Sequence, residues 1–154
     1  MLTPSIPAIA PVDSAAAHKP VILLVEDEPV VREVTREVLE RAGYQVLESD
    51  GPGEAIRLAE AHRGRIALLL SDVVMPGMSG IELARLIQER QPRLATVFMS
   101  GYASHAVLQP AARDVRSTYI QKPFTVDALL AGVAEALGKS PAGGRLTSRT
   151  AELS

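Results

Sequence analysis

The chain has 154 residues, 47% hydrophobic but only 3% aromatic, and its 16 basic and 18 acidic residues leave a net charge of −2. That suits one ordinary domain with an aliphatic core and is too short for a two-lobed kinase or dehydrogenase. The lack of Cys excludes disulfides and thiolate chemistry, the near-neutral charge gives no nucleic-acid or polybasic membrane signal, and no apolar run approaches a membrane span.

Residues 1–19 read as a flexible arm, because Pro4, Pro7, Pro11 and Pro20 interrupt any regular element. The arm lacks the basic start and compact apolar stretch of a secretion signal, so a cytoplasmic location is expected. VILLV (Val21–Val25) is the first predicted strand. It is a continuous apolar run, not an alternating one, as in a parallel sheet covered on both faces. It ends in Glu26, Asp27 and Glu28. PVVREVTREVLERAG then has helical period, with Val30, Val31, Val34, Val38 and Leu39 on one stripe and Gly43 placed to end it. Tyr44–Glu48 is a weaker strand. GPGEAIRLAEAHRG predicts a helix burying Ala55, Ile56, Leu58 and Ala59.

IALLL (Ile66–Leu70) is a second continuous run and leads into Ser71 and Asp72. The helix of SGIELARLIQERQP starts at a Ser79 cap and carries Ile81, Leu83, Leu86 and Ile87. Leu94–Met99 is the third run and ends in Ser100 and Gly101. ASHAVLQPAARDV is the poorest helix, since Pro110 falls inside it. Ser117–Gln121 is the last strand, followed by Lys122 and Pro123. TVDALLAGVAEALG takes Thr125 as cap and turns Val126, Leu129, Leu130, Val133 and Leu137 inward. Residues 139–154 have no apolar period and read as a flexible tail, which leaves 20–138 as the domain.

Strand and helix thus alternate five times. The order predicts an α/β fold, a flavodoxin-like doubly wound five-stranded parallel sheet with strand order 2-1-3-4-5. In such sheets the site lies outside the carboxyl ends of the strands. There the strands deliver Glu26 and Asp27, Asp72, Ser100 and Lys122. Singly, each has a plainer reading. The acidic pair suits a helix N-terminus, Asp72 a turn, Ser100 a cap, and Lys122 a solvated charge. Together, at the ends of strands and in order, they argue for one site.

Three convergent carboxylates would raise one another's pKa and cost stability. A hard divalent cation relieves this, and Mg²⁺ accepts carboxylates, a backbone carbonyl and waters in octahedral array. A carboxylate is also a nucleophile toward phosphorus, forming an acyl phosphate. The charge that develops needs a cation and donors, which Lys122 and Ser100 would supply. Lys122 stands out because the chain has thirteen Arg and three Lys, and Lys19 and Lys139 lie in or beside the presumed arms.

The stretches VILLVEDEPVVREV, LLLSDVVMPGMSGIEL, VFMSGYAS and YIQKPF resemble the receiver domain of two-component response regulators. With the intervening helices they cover nearly all of 20–138. The resemblance implies that Asp72 is the phosphoacceptor. It implies Mg²⁺ (or Mn²⁺) on Asp27, Asp72 and the Val74 carbonyl, with Glu26 acting through water. Ser100 matches the switch hydroxyl, Lys122 the family lysine before a cis proline, and Tyr119 the aromatic that changes rotamer; the plainer reading of Tyr119 is a partly buried strand aromatic. The implied partners are a histidine kinase or histidine phosphotransfer protein and a downstream protein, with no nucleic acid and no direct membrane contact.

The departures are Ser71 and Ala67, neither touching the chemistry, and the Pro110 helix, whose surface would be reshaped. The last helix lacks the charges of the salt-bridged dimer of winged-helix relatives, so that dimer is not expected. No segment of the chain reads as an output domain, and two arrangements stay open: a single-domain regulator or a module of a hybrid kinase. The rival functions are a pseudo-receiver that binds protein without phosphorylation, and an Asp-nucleophile phosphatase. The second would place its nucleophile on the first strand.

Overall fold

All three continuous apolar runs form strands in the computed structural model, which describes residues 19–101 and 117–138. The elements are β1 (Val21–Val25), α1 (Pro29–Arg41), β2 (Gln45–Ser49), α2 (Pro52–Ala61), β3 (Ile66–Asp72), α3 (Gly80–Arg90), β4 (Ala95–Ser100), β5 (Thr118–Gln121) and α4 (Val126–Leu137). The strands are all parallel, in the order β2-β1-β3-β4-β5, as the sequence predicts. The arm over residues 1–18, the Pro110 helix with its surroundings (102–116) and the tail (139–154) lie outside the described residues. Among the described residues no helix is long and apolar enough to cross a membrane.

Strand alternation divides the core. Leu23, Val25, Leu69 and Phe98 face α2 and α3, where they meet Ala55, Ala59, Leu83 and Ile87. Ile22, Leu24, Leu68, Leu70, Val97 and Met99 face α1 and α4, where they meet Leu39, Leu129 and Val133. Both sides of β1, β3 and β4 are therefore dry, which explains why their sequences do not alternate.

Small shifts at the ends have local causes. The Tyr44 N–H donates to the Leu39 carbonyl and closes α1, so β2 starts at Gln45. The Leu94 N–H likewise donates to the Gln91 carbonyl in the turn before β4. The predicted caps form. Ser79 and Glu82 make a reciprocal capping box on α3, and the Ala128 N–H donates to Thr125 Oγ1 on α4.

The inward stripes need correction. Val30 and Val34 of α1 are 73% and 53% exposed, while Thr35 is buried. The Thr35 hydroxyl donates to the Val31 carbonyl at 2.6 Å, which removes the penalty of burying it. Leu86 and Val126 are also exposed, and their helices pack through Ala84 and through Gly132 and Ala136. These small residues lie beside the larger Leu83, Ile87, Leu129 and Val133, and Gly132 brings α4 close to β5, where a Cβ would come within 2.8 Å of Ile120 Cδ1.

The closest approach is at Gly80. Its N–H donates to the Val73 carbonyl at 2.8 Å. A Cβ there would overlap the Asp72 carbonyl oxygen and come within 3.0 Å of Ser71 Oγ. Gly80→Ala should therefore push the loop after β3 off the sheet. A loss of about 1–3 kcal/mol is expected, read as a lower urea midpoint.

Candidate functional site

Parallel register brings the strand ends together. Val25 pairs with Ser71, so Glu26 and Asp72 emerge side by side, each one residue beyond. The Asp72 position pairs with Met99, and Ser100 pairs with Gln121, which puts Ser100 and Lys122 next along the same edge. Backbone bonds continue the ladder beyond the side-chain register. The Glu26 N–H donates to the Ser49 carbonyl, the Val73 N–H to the Met99 carbonyl and the Lys122 N–H to the Ser100 carbonyl.

Carboxylate oxygens of Glu26, Asp27 and Asp72 lie within 4.8 Å of one another. Glu26 is wholly buried and Asp72 is 8% exposed, whereas Asp27 sits at the solvent edge. Lys122 Nζ donates to Glu26 Oε1 at 3.1 Å and to Asp72 Oδ2 at 3.3 Å. When ionised, three carboxylates against one ammonium leave two negative charges, the charge of one divalent cation. The donor set is all oxygen and opens to solvent at Asp27, which fits a hard cation that keeps some of its water.

The pKa shifts follow the same crowding. Burial raises both carboxyls. Asp72 adds to the rise of Glu26, while Lys122 opposes the rise of Asp72. Burial alone would lower the Lys122 ammonium, but the two carboxylates together raise it.

Ser100 is 1% exposed, and its Oγ has no hydrogen-bond partner among the described residues. A buried hydroxyl without a partner costs free energy unless a ligand supplies one. Tyr119, partly buried, stacks on Phe98 with centroids 5.9 Å apart, and the Ser117 hydroxyl donates to its OH at 3.0 Å. Its packing agrees with the plainer reading of a strand aromatic. Val74 lies two residues past Asp72 and is exposed. The Lys122–Pro123 bond is cis.

The structure thus gathers Glu26, Asp27, Asp72 and Lys122 directly and places Ser100 on the adjacent strand end. Sequence reasoning missed two residues that frame them, Gly80 and Arg32. Gly80 was legible as a glycine eight residues after Asp72 at a helix start. Arg32 gives no signal in the apolar stripe of α1, yet its Nη1 donates to the Glu26 carbonyl at 2.8 Å.

Residues 22–134 match the family described as the response regulator receiver domain. The chain belongs to that family. It is 36% identical over 118 residues to the sensor kinase CckA of Brucella abortus, covering 77% of this chain and 12% of CckA. It is 43% identical over 107 residues to the response regulator receiver protein CpdR of the same organism, covering 67% of this chain and 84% of CpdR. Among solved structures, the receiver domain of the hybrid histidine kinase CckA superposes with a TM-score of 0.65 at 32% identity, covering 76% and 98% of the two chains. The response regulator TrrA of Thermotoga maritima gives 0.67 at 30%, covering 77% and 99%. Several curated relatives are much longer, and this chain spans 12% to 30% of four of them.

The receiver's acidic site should leave a mark on stability without metal. A carboxyl with a raised folded pKa holds its proton longer folded than unfolded. Stability then falls as pH rises from the ordinary carboxyl value, 3.8 for Asp72, through the raised one. Asp72→Asn removes that contribution. In a chelator, the variant's urea midpoint should gain on the wild type's across this window and hold the gain to pH 7. A constant difference would show that Asp72 ionises as freely folded as unfolded.

Proposed function

We propose that this receiver accepts a phosphoryl group on Asp72 from the phosphohistidine of a histidine kinase or histidine phosphotransfer protein. The observation that carries this reading is the meeting of Glu26, Asp27 and Asp72 at the carboxyl edge of the sheet, with Lys122 Nζ bound to Glu26 and Asp72. It is supported by the family match and by the similarity to a sensor kinase.

An Asp72 oxygen attacks the phosphorus, and the phosphorus–nitrogen bond breaks. Its electron pair stays on the donor imidazole, which leaves neutral when its other nitrogen carries a proton. The product is an acyl phosphate. Glu26, Asp27, Asp72 and the Val74 carbonyl would hold Mg²⁺ or Mn²⁺, with Glu26 acting through water. Bound there, the ion would draw charge from the phosphoryl oxygens. TrrA, solved in complex with Mg²⁺-BeF, supports that assignment. Lys122 would meet the same oxygens, and the Ser100 hydroxyl would gain in the phosphoryl group the acceptor it lacks among the described residues.

Ser100 and Tyr119 then form the switch, and a surface of the receiver gains or loses a protein target. Water attacking in line would return Asp72 slowly to its starting state. The domain is taken as residues 20–138, and a cytoplasmic setting fits a kinase partner. CpdR and CckA illustrate two settings, a receiver protein and a longer kinase.

Incubation with acetyl phosphate and Mg²⁺ should add one phosphoryl mass to the intact protein. The adduct should vanish in Asp72→Ala and with chelator, and should fall sharply in Lys122→Ala. An unmodified wild type in a rapidly quenched sample would reject phosphorylation and leave a pseudo-receiver that binds protein unmodified.

A further inference from the structure

Arg32 sits near the start of α1 and is mostly covered, its side chain 21% exposed. The Glu26 carbonyl that its guanidinium holds belongs to the peptide plane joining Glu26 to Asp27. The surrounding groups complete a clasp. The Glu26 N–H is held by the Ser49 carbonyl, the Glu28 N–H donates to Glu26 Oε2 at 3.2 Å, and the Arg32 N–H donates to the Glu28 carbonyl at 2.9 Å. The Asp27 carboxylate makes no hydrogen bond of its own among the described residues. The backbone on which it stands therefore sets where its Cα–Cβ bond points, and no side-chain bond adds to that hold.

Glu48, at the end of β2, keeps the guanidinium in place. Its Oε1 lies 3.6 Å from Arg32 Nε. Its Oε2 lies 3.1 Å from Arg36 Nε, an ion pair without in-line hydrogen-bond geometry. Resting on the phosphoacceptor reading above, we propose that Arg32 is a positioning residue of the metal site, which fixes the Glu26–Asp27 peptide plane and so aims the Asp27 carboxylate at the cation.

Charge alone predicts the reverse. A guanidinium beside an acidic cluster repels a divalent ion, so removing it should tighten metal binding. A purely structural role would change stability and leave metal affinity alone. The three accounts thus separate by sign.

The test uses the full chain and titrates Mg²⁺ by calorimetry into wild type, Arg32→Ala, Arg32→Met and Arg32→Lys. Residues that orient metal ligands are typically worth 10- to 100-fold in affinity. Arg32→Ala and Arg32→Met should bind Mg²⁺ about ten-fold more weakly. Arg32→Lys, which keeps the charge but loses the fork, should fall between. The Mg²⁺ concentration for half-maximal labelling by acetyl phosphate should shift with the dissociation constant, while the rate at saturating Mg²⁺ stays near wild type.

Ala, Met and Lys are all strong helix formers, and metal-free thermal unfolding reports the fold independently. Should Arg32→Ala fail to fold, Arg32→Met and Arg32→Lys carry the same test. Unchanged or tighter Mg²⁺ binding in the folded variants, with wild type binding and labelling normally, overturns the role of Arg32 alone. A wild type that neither binds Mg²⁺ nor is labelled overturns both this role and the phosphoacceptor reading.

Discussion

The structure turns on holding two buried carboxylates, Glu26 and Asp72, beside each other and beside Asp27. Two like charges about 4 Å apart repel by roughly 4 kcal/mol at an effective dielectric near 20. That is a large share of the ~5–15 kcal/mol that keeps a domain folded. Lys122 offsets part of this by reaching both carboxylates, and the balance of two negative charges remains. The aliphatic sheet provides the stability against which that cost is set, and it also fixes the geometry.

A doubly wound sheet suits the task because its dry strands are stiff and their ends are all on one edge. Parallel pairing of β1 with β3 places Glu26 against Asp72 in a fixed register, since a one-residue slip of either strand would turn its own core residue, Leu23 or Leu69, toward the wrong helices. The turns after the strands hold what the ladder cannot. Gly80 brings the start of α3 onto the Asp72 carbonyl, and Arg32 brings the start of α1 onto the Glu26 carbonyl. The two helix starts thus grip the backbone beside the two buried acids.

Legibility in the sequence followed from the physics of each feature. The strands of VILLV, IALLL and LATVFM were readable because burial on both faces leaves them apolar but for Thr96, whose hydroxyl accepts from Gln88 Nε2, and their order followed from the crossovers. The polar residues at the ends of those runs were readable for the same reason, standing out against aliphatic neighbours. The helix faces were less so. Counting apolar residues put Val30 and Val34 inward, whereas Thr35 occupies that place with its hydroxyl bonded to Val31. Periodicity weighs side-chain polarity and cannot see a local hydrogen bond that cancels it. Arg32 was illegible on the same grounds, because its role lies in a contact with a backbone carbonyl, to which a side-chain pattern is blind.

The choice of lysine at position 122 fits the proposed exchange of charge. Thirteen arginines show that the chain has no aversion to the guanidinium. An arginine here would present a rigid planar fork, matched to a single carboxylate. An ammonium carries three donors about a rotating axis and already divides them between Glu26 and Asp72. Were Asp72 phosphorylated as proposed, the Glu26 bond could hold Lys122 in place while its other donors turned to the new oxygens. In that reading the buried Glu26 keeps the ammonium at the site through the change that alters its partner.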